Sequence, residues 1–250
     1  RIIINKDSIN AHFATQASII ALLYKEYYKD CEFFFTFHAY DIYFRNKWFE
    51  LLVKESNKTF SISNYAKEYV RNKYKIEETE KLVVSRLGIF HLPNNYNNRI
   101  KDKESLKIGF LGRLVKEKNI FLLLDIIKTL SISYSSIILF LAGEGYLYSP
   151  IKKYIEDHKL NKIIFLRGFL YKEEKIKFLK EVDVLILPSV SEGMPIVLME
   201  AFEFGIPVIT SDIAGIPEIC KDKFNGFLIP PNNKEALLHA ILKFYYMDSY

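Results

Sequence analysis

Glu192 and Glu200 stand eight positions apart in the run Ser191-Glu-Gly-Met-Pro-Ile-Val-Leu-Met-Glu-Ala201. The first carboxylate lies in a Gly/Pro loop. Pro195 then falls where a helix would begin, because its locked φ and missing N–H suit the first helical turn. The second carboxylate follows inside an otherwise apolar helical stretch. A helix N-terminus presents unpaired backbone N–H groups and the positive end of a dipole, which suits a phosphate. From Pro195 to Glu200 a helix climbs roughly 7–8 Å at about 1.5 Å per residue. The two carboxylates can therefore serve opposite ends of a bound nucleotide diphosphate. The bland alternative is a helix with a solvated Glu at each end. Ile196, Val197, Leu198, Met199, Ala201 and Phe202 surround Glu200 in sequence and argue against it.

These residues need a frame. In the second half, short apolar runs recur at the spacing of a βαβ repeat. They are Lys107–Gly112, Ser136–Ala142, Lys162–Leu166, Val182–Leu187, Ile206–Thr210 and Gly226–Ile229. Near-continuous apolar strands predict a parallel sheet covered on both faces. Helical periodicity runs through Asn119–Leu130, Leu147–His158 and Lys172–Val182. The expected fold is a doubly wound α/β domain, in which ligands bind beyond the carboxyl ends of the strands. The first hundred residues read as a separate, incomplete α/β region. Helices are expected over Ala17–Tyr28, Trp48–Ser56 and Tyr65–Tyr74, with strands at Glu32–Phe37, Lys58–Ile62 and Leu82–Ser85. The linker is expected within Leu92–Asn98 and Lys101–Glu104, giving regions 1–98 and 105–250.

Composition sets bounds. A chain of 250 residues, 50% hydrophobic, has room for two ordinary domains with cores. The formal charge of +5 suits an anionic small ligand or an acidic membrane surface and is too weak and dispersed for nucleic acid. Cys31 and Cys220 have no metal-ligand spacing and read as reduced structural thiols, which favours a reducing compartment. No apolar run reaches the ~18–20 residues needed to span a bilayer, and no signal peptide is visible. The chain begins at Arg1 in an apolar stretch, which reads as the middle and end of a longer protein.

Several motifs together resemble family 4 of the retaining glycosyltransferases, the glycosyl transferases group 1, whose GT-B fold has two facing Rossmann-like domains. The Glu192-to-Glu200 segment is similar to that family's paired-glutamate motif. Phe110-Leu-Gly-Arg-Leu-Val-Lys-Glu-Lys118 resembles the strand and loop carrying its phosphate-binding Arg and Lys. Leu141-Ala-Gly-Glu-Gly145 resembles its G-x-G loop, and Phe165-Leu-Arg-Gly-Phe169 the loop bordering the base. Ala214-Gly-Ile-Pro-Glu218 and Asn225-Gly226 are similar to the tail of the fold. His12-Phe-Ala and Phe35-Thr-Phe-His-Ala-Tyr-Asp41 resemble acceptor-facing loops of the N-terminal domain.

The resemblance implies roles residue by residue. Arg113 and Lys118 would bind and neutralise the departing diphosphate, Arg as a planar fork and Lys as a point charge. Glu192 would bond the transferred sugar and Glu200 the ribose hydroxyls. Gly112, Gly143, Gly168 and Phe169 would border the donor, and the backbone of Gly193, Met194, Pro195 and Ile196 would meet sugar and diphosphate. His38 would lie near the anomeric centre. His12, His91, His158 and His239 carry less or no weight.

The implied reaction is transfer of a hexose from a UDP- or GDP-sugar to a glycan or lipid-linked acceptor, with retained anomeric configuration. Catalysis would come from positioning and charge stabilisation. No cofactor is expected. No Asp-x-Asp metal pair stands at a strand end, so the cations would replace a metal. The implied location is cytoplasmic, with peripheral contact at the inner face of the membrane.

Two departures from the family pattern stand out. Its opening strand and glycine-rich loop have no counterpart, so the first sheet is expected to be short with an unpaired edge. Asn119 stands where Gly is frequent, and Asn also reaches left-handed geometry. A nicotinamide dehydrogenase lacks its G-x-G-x-x-G loop here, and a sugar phosphorylase lacks a placeable cofactor lysine. A non-catalytic nucleotide-sugar-binding fragment is the remaining alternative.

Overall fold

The computed structural model describes residues 2–5, 7–43, 48–76, 80–89 and 105–247. The chain divides into two compact units, Arg1–Gly88 and Ile89–Tyr250. The expected linker segments 92–98 and 101–104, and His91, lie outside the described residues.

The first unit runs β1 (Ile2–Asn5), β2 (Ser8–His12), α1 (Gln16–Tyr27), β3 (Glu32–Phe37), α2 (Ala39–Tyr43), α3 (Phe49–Glu55), β4 (Lys58–Ser61), α4 (Asn64–Tyr74) and β5 (Leu82–Val84). Its sheet has the order β1-β2-β3-β4-β5. Strands β2 to β5 are parallel, while β1 pairs antiparallel with β2. The sheet is thus longer than its sequence predicts, and an antiparallel strand covers the edge expected to be bare. In β3 the period of two sends Phe33, Phe35 and Phe37 to one face. All three are fully buried. Phe35 and Phe37 meet the ring of Phe49 edge-on at 5.7 and 5.3 Å. The Ser63 hydroxyl caps α4 by accepting from the Ala66 N–H at 3.0 Å.

The second unit runs β6 (Leu106–Leu111), α5 (Ile120–Leu130), β7 (Ile137–Ala142), α6 (Tyr148–Asp157), β8 (Ile164–Gly168), α7 (Lys172–Glu181), β9 (Val184–Leu187), α8 (Ile196–Glu203), β10 (Val208–Ser211), β11 (Gly226–Ile229) and α9 (Lys234–Tyr245). Its six strands are all parallel, in the order β11-β10-β9-β6-β7-β8. Winding goes outward from β6 through β7 and β8, then returns to the other side through β9, β10 and β11. This is the doubly wound order, and its reversal lies between β6 and β9. Every residue of β9 is buried, as two covered faces require. On α5 Leu123, Leu124, Ile126, Ile127 and Leu130 are buried against the sheet.

Strand β8 starts two residues later than its apolar run suggests. The Ile163 and Ile164 N–H groups still donate to the Leu160 carbonyl, so the turn holds that far. As a result Phe165-Leu-Arg-Gly168 is strand rather than loop, and the loop begins at Phe169.

Candidate functional site

The loops at the carboxyl ends of the second sheet are tied to one another by backbone bonds. After β6 and β7, Gly112 N–H donates to Ala142 O at 3.0 Å and Leu114 N–H to Glu144 O at 2.8 Å. After β7 and β8, Gly143 N–H donates to Gly168 O at 2.7 Å. Across the switch point, Val190 N–H donates to Glu117 O at 2.8 Å. Gly143 has φ +136°, and a Cβ there would lie 1.8 Å from the Gly112 carbonyl oxygen. Glycine alone fits that close approach. Asn119 takes φ 52°, ψ 38°, ends the short 3₁₀ turn Lys116–Lys118 and starts α5. It therefore does in left-handed geometry what Gly does more often.

These loops frame a cavity of about 510 Å³. Gly112, Arg113, Gly143, Phe169, Lys175 and Glu200 are among its walls. Arg113 is exposed and pairs with no carboxylate among the described residues. Glu200 projects from the second turn of α8 and accepts from Lys175 Nζ at 2.5 Å. Lys175 belongs to α7 and to none of the motifs quoted from the sequence. A mid-sized concave site with a few converging polar groups at a switch point has the form of a ligand pocket.

Glu192 and Lys118 sit beside this cavity and pair with each other. The side chains are 9% and 14% exposed. Lys118 Nζ donates to Glu192 Oε1, and the Ser189 hydroxyl donates to the same oxygen at 2.6 Å. A buried carboxylate of this kind needs such partners. Ser189 is a further residue that the sequence does not single out.

Gly193, Met194 and Pro195 are buried, and Ile196 is exposed. The Gly193 carbonyl accepts from Gly215 N–H at 3.0 Å, which ties this loop to the one after β10. Pro195 has φ −73°, ψ 116°, so it precedes α8 as the capping residue instead of lying in the first turn. Its extended ψ makes that difference, and Leu198 N–H still closes on Pro195 O at 3.2 Å. Gly168 ends β8 with φ +64°. Among the described residues no group of three or more His, Cys, Asp or Glu is placed to hold a metal, and no helix is long and apolar enough to cross a membrane.

His38 belongs to the first unit, just after β3. Its Nε2 lies 3.2 Å from His12 Nδ1, and its ring stacks on Phe13 at 4.1 Å. Phe13 has φ 68°, a strained conformation for a bulky residue. Asp41 holds the arrangement. Its buried carboxylate accepts from Ala14 N–H and His38 N–H, both at 2.8 Å. Burial raises the Asp41 pKa, and those two backbone bonds oppose the rise. Burial, then the charge of His12, lowers the His38 pKa to about 4. Two neutral rings can share the contact as donor and acceptor, whereas two cationic rings have no acceptor between them.

Both cysteines are buried thiols. Burial comes first in raising the pKa of Cys31, and raises Cys220 to about 11 with help from Asp222 and Asp212. Neither has the depressed pKa of a reactive thiol.

The sequence profile described as "Glycosyl transferases group 1" matches residues 94–248. The chain belongs to this family. It is 31% identical over 172 residues to the amylovoran biosynthesis glycosyltransferase AmsK of Erwinia amylovora, covering 66% of this chain and 42% of that protein. Over 104 residues it is 36% identical to the UDP-Gal:alpha-D-GlcNAc-diphosphoundecaprenol alpha-1,3-galactosyltransferase of Escherichia coli, covering 41% of this chain and 26% of that protein. The chain thus spans less than half the length of both curated relatives. The crystal structure of Anabaena Alr3699/HepE in complex with UDP and glucose superposes with TM-score 0.78 at 17% identity, covering 95% of this chain and 68% of that one. Two Rossmann-like sheets of GT-B type are therefore the fold of this group 1 glycosyl transferase.

Proposed function

We propose that this glycosyl transferase moves a hexose from a UDP- or GDP-sugar to a glycan or lipid-linked acceptor, with retention and without a metal. Residues 105–250 would hold the donor and residues 1–98 would face the acceptor. The observation that carries the reading is the cavity at the strand-order reversal, which Arg113 and the Glu200 carboxylate both line, Arg113 pairing with no carboxylate among the described residues. HepE was solved with UDP and glucose, and the E. coli relative is named for UDP-Gal and a diphosphoundecaprenol acceptor. AmsK is named for amylovoran biosynthesis, which favours polysaccharide assembly as the setting.

In this reading Arg113 meets the diphosphate with its fork of donors. Lys118 has three N–H donors. One goes to Glu192, and the others are available to a leaving phosphate. Glu192 bonds the hexose, and the N-terminus of α8 adds its dipole to the stabilisation of the leaving group. Glu200 takes the ribose. His38, the candidate catalytic residue of the first unit, would act as a neutral ring at physiological pH.

Calorimetric titration of the 250-residue chain with uridine and guanosine diphosphates tests the donor site, and binding to neither would overturn it. A transfer assay with and without EDTA tests the cation argument. Activity lost in EDTA and restored by Mn²⁺ or Mg²⁺ would refute metal independence. A protein that binds a nucleotide sugar but transfers none would favour the non-catalytic alternative.

A further inference from the structure

Lys175 is held where it is by an absence. At the middle of β6, a Cβ on Gly109 would lie 2.9 Å from Val182 Cγ1 and 3.2 Å from the Phe178 ring. With no side chain at Gly109, α7 closes onto the sheet and Phe178 is buried. Lys175 lies three residues before Phe178, one helical turn nearer the carboxyl edge of the strands and on a neighbouring stretch of the same face. Two bonds fix the first turn of α7. Lys175 N–H donates to Tyr171 O at 2.8 Å, and Tyr171 N–H donates to the Glu174 carboxylate at 2.9 Å.

A cation in the first turn of a helix faces the positive end of the dipole, so helix stability does not account for Lys175. Glu200, for its part, has no basic residue in the last turn of its own helix. The two meet across helices, Nζ to Oε1 at 2.5 Å, with side chains 33% and 20% exposed. Both also line the cavity that holds Arg113. Glu200 Oε2 has no protein partner among the described residues.

We propose that Lys175 is a positioning residue for sugar recognition in the nucleotide, fixing Glu200 through Oε1 so that Oε2 is presented to the ribose hydroxyls. A carboxylate has lone pairs enough for both partners. Without Lys175 the Glu200 side chain regains its rotamers and turns into water, and its preference for a hydroxyl-bearing ribose is lost. This inference rests on the nucleoside diphosphate reading of the cavity.

The experiment measures affinities of uridine and guanosine diphosphates and their 2′-deoxy counterparts by calorimetry, for the 250-residue chain and for Lys175→Met and Lys175→Arg. Wild type should prefer the ribonucleotide roughly tenfold or more, the scale of one charge-assisted hydrogen bond. Lys175→Met should reduce that ratio to about twofold or less while holding the 2′-deoxy nucleotide within about twofold of wild type, and Lys175→Arg should keep most of the ratio. The 2′-deoxy affinity reports an intact pocket within the same variant. Lys175→Met with an undiminished ratio overturns the proposal and leaves the nucleotide reading standing. Equal loss of both affinities, or a wild type without preference, also overturns it. A wild type that binds neither base overturns the nucleotide reading as well.

Discussion

Lys118 and Glu192 meet across the reversal of strand order, 74 residues apart in the chain, as an ion pair that joins the loop after β6 to the loop after β9. Both side chains are largely withdrawn from water. Removing one partner of such a pair leaves a buried charge uncompensated, at a cost of roughly 3–5 kcal/mol. Lys118→Met should therefore lower the urea midpoint well beyond a surface lysine change, and Lys118→Met combined with Glu192→Leu should recover much of the loss. Equal midpoints for wild type and the single variant would mean that the pair contributes nothing to stability.

On the proposed function, Glu200→Ala should mainly weaken donor binding, whereas Glu192→Gln should mainly lower kcat. The reason is their separation. Glu200 lines the cavity on α8, while Glu192 sits at the loop beside Lys118. Each lost charged hydrogen bond is worth roughly 1.5–3 kcal/mol, about ten- to a hundredfold in the affected constant. Steady-state kinetics with the true donor decides, and unchanged constants in both variants would remove this site from the account.

Gly143→Ala should disturb the pocket without touching any charged group. The new methyl would collide with the Gly112 carbonyl, and both residues line the cavity. The strain should cost about 2 kcal/mol or more in stability. Nucleotide affinity should fall roughly tenfold or more with it. A variant with wild-type melting and wild-type affinity would show that the two loops separate freely.

Stability should depend on pH through His38. Its folded pKa of about 4 lies below the ordinary 6.5. Between those values the unfolded chain binds the extra proton, so stability rises with pH across this window. The contribution is complete above about pH 6.5 and is lost as pH falls towards 4. The ring is partly solvated, which reduces the effect to about 1–2 kcal/mol. Melting curves from pH 4 to 7 should be flatter for His38→Gln than for wild type, after the carboxylate contribution common to both. Parallel curves would remove His38 as the titrating group.

The second sheet was legible because buried parallel strands are written as continuous apolar runs, and all six lie within about two residues of their expected places. The paired glutamates were legible for a related reason, since a charge inside Ile196–Phe202 stands out against its neighbours. Strand β2 was not, because Ile9 and Ala11 are its only buried positions and give too little pattern. Helix α9 carries a readable signal in the Asn233 cap and in the helical spacing of Leu237, Ile241 and Phe244. Lys175 and Ser189 could not be found this way. Their importance comes from contacts made by folding, and one lysine among the several of α7 carries no local mark.

The strand order also bears on how the chain comes to be folded. Strand β6 pairs on one side with β7, the next strand made, and on the other with β9. The cap between them, Lys107 N–H to the Asp183 carboxylate, spans 76 residues. At a synthesis rate of about 5–20 residues per second, one flank of β6 stays open for several seconds while the other is already occupied. During that interval the half-sheet β6-β7-β8 exposes an unpaired, apolar edge, a state that invites aggregation. We expect pulse-labelled amide exchange during refolding to protect β6 to β8 before β9 to β11; simultaneous protection would contradict this order. The reversal that creates the pocket therefore also leaves the nascent chain with its most vulnerable edge beside the residues that will line that pocket.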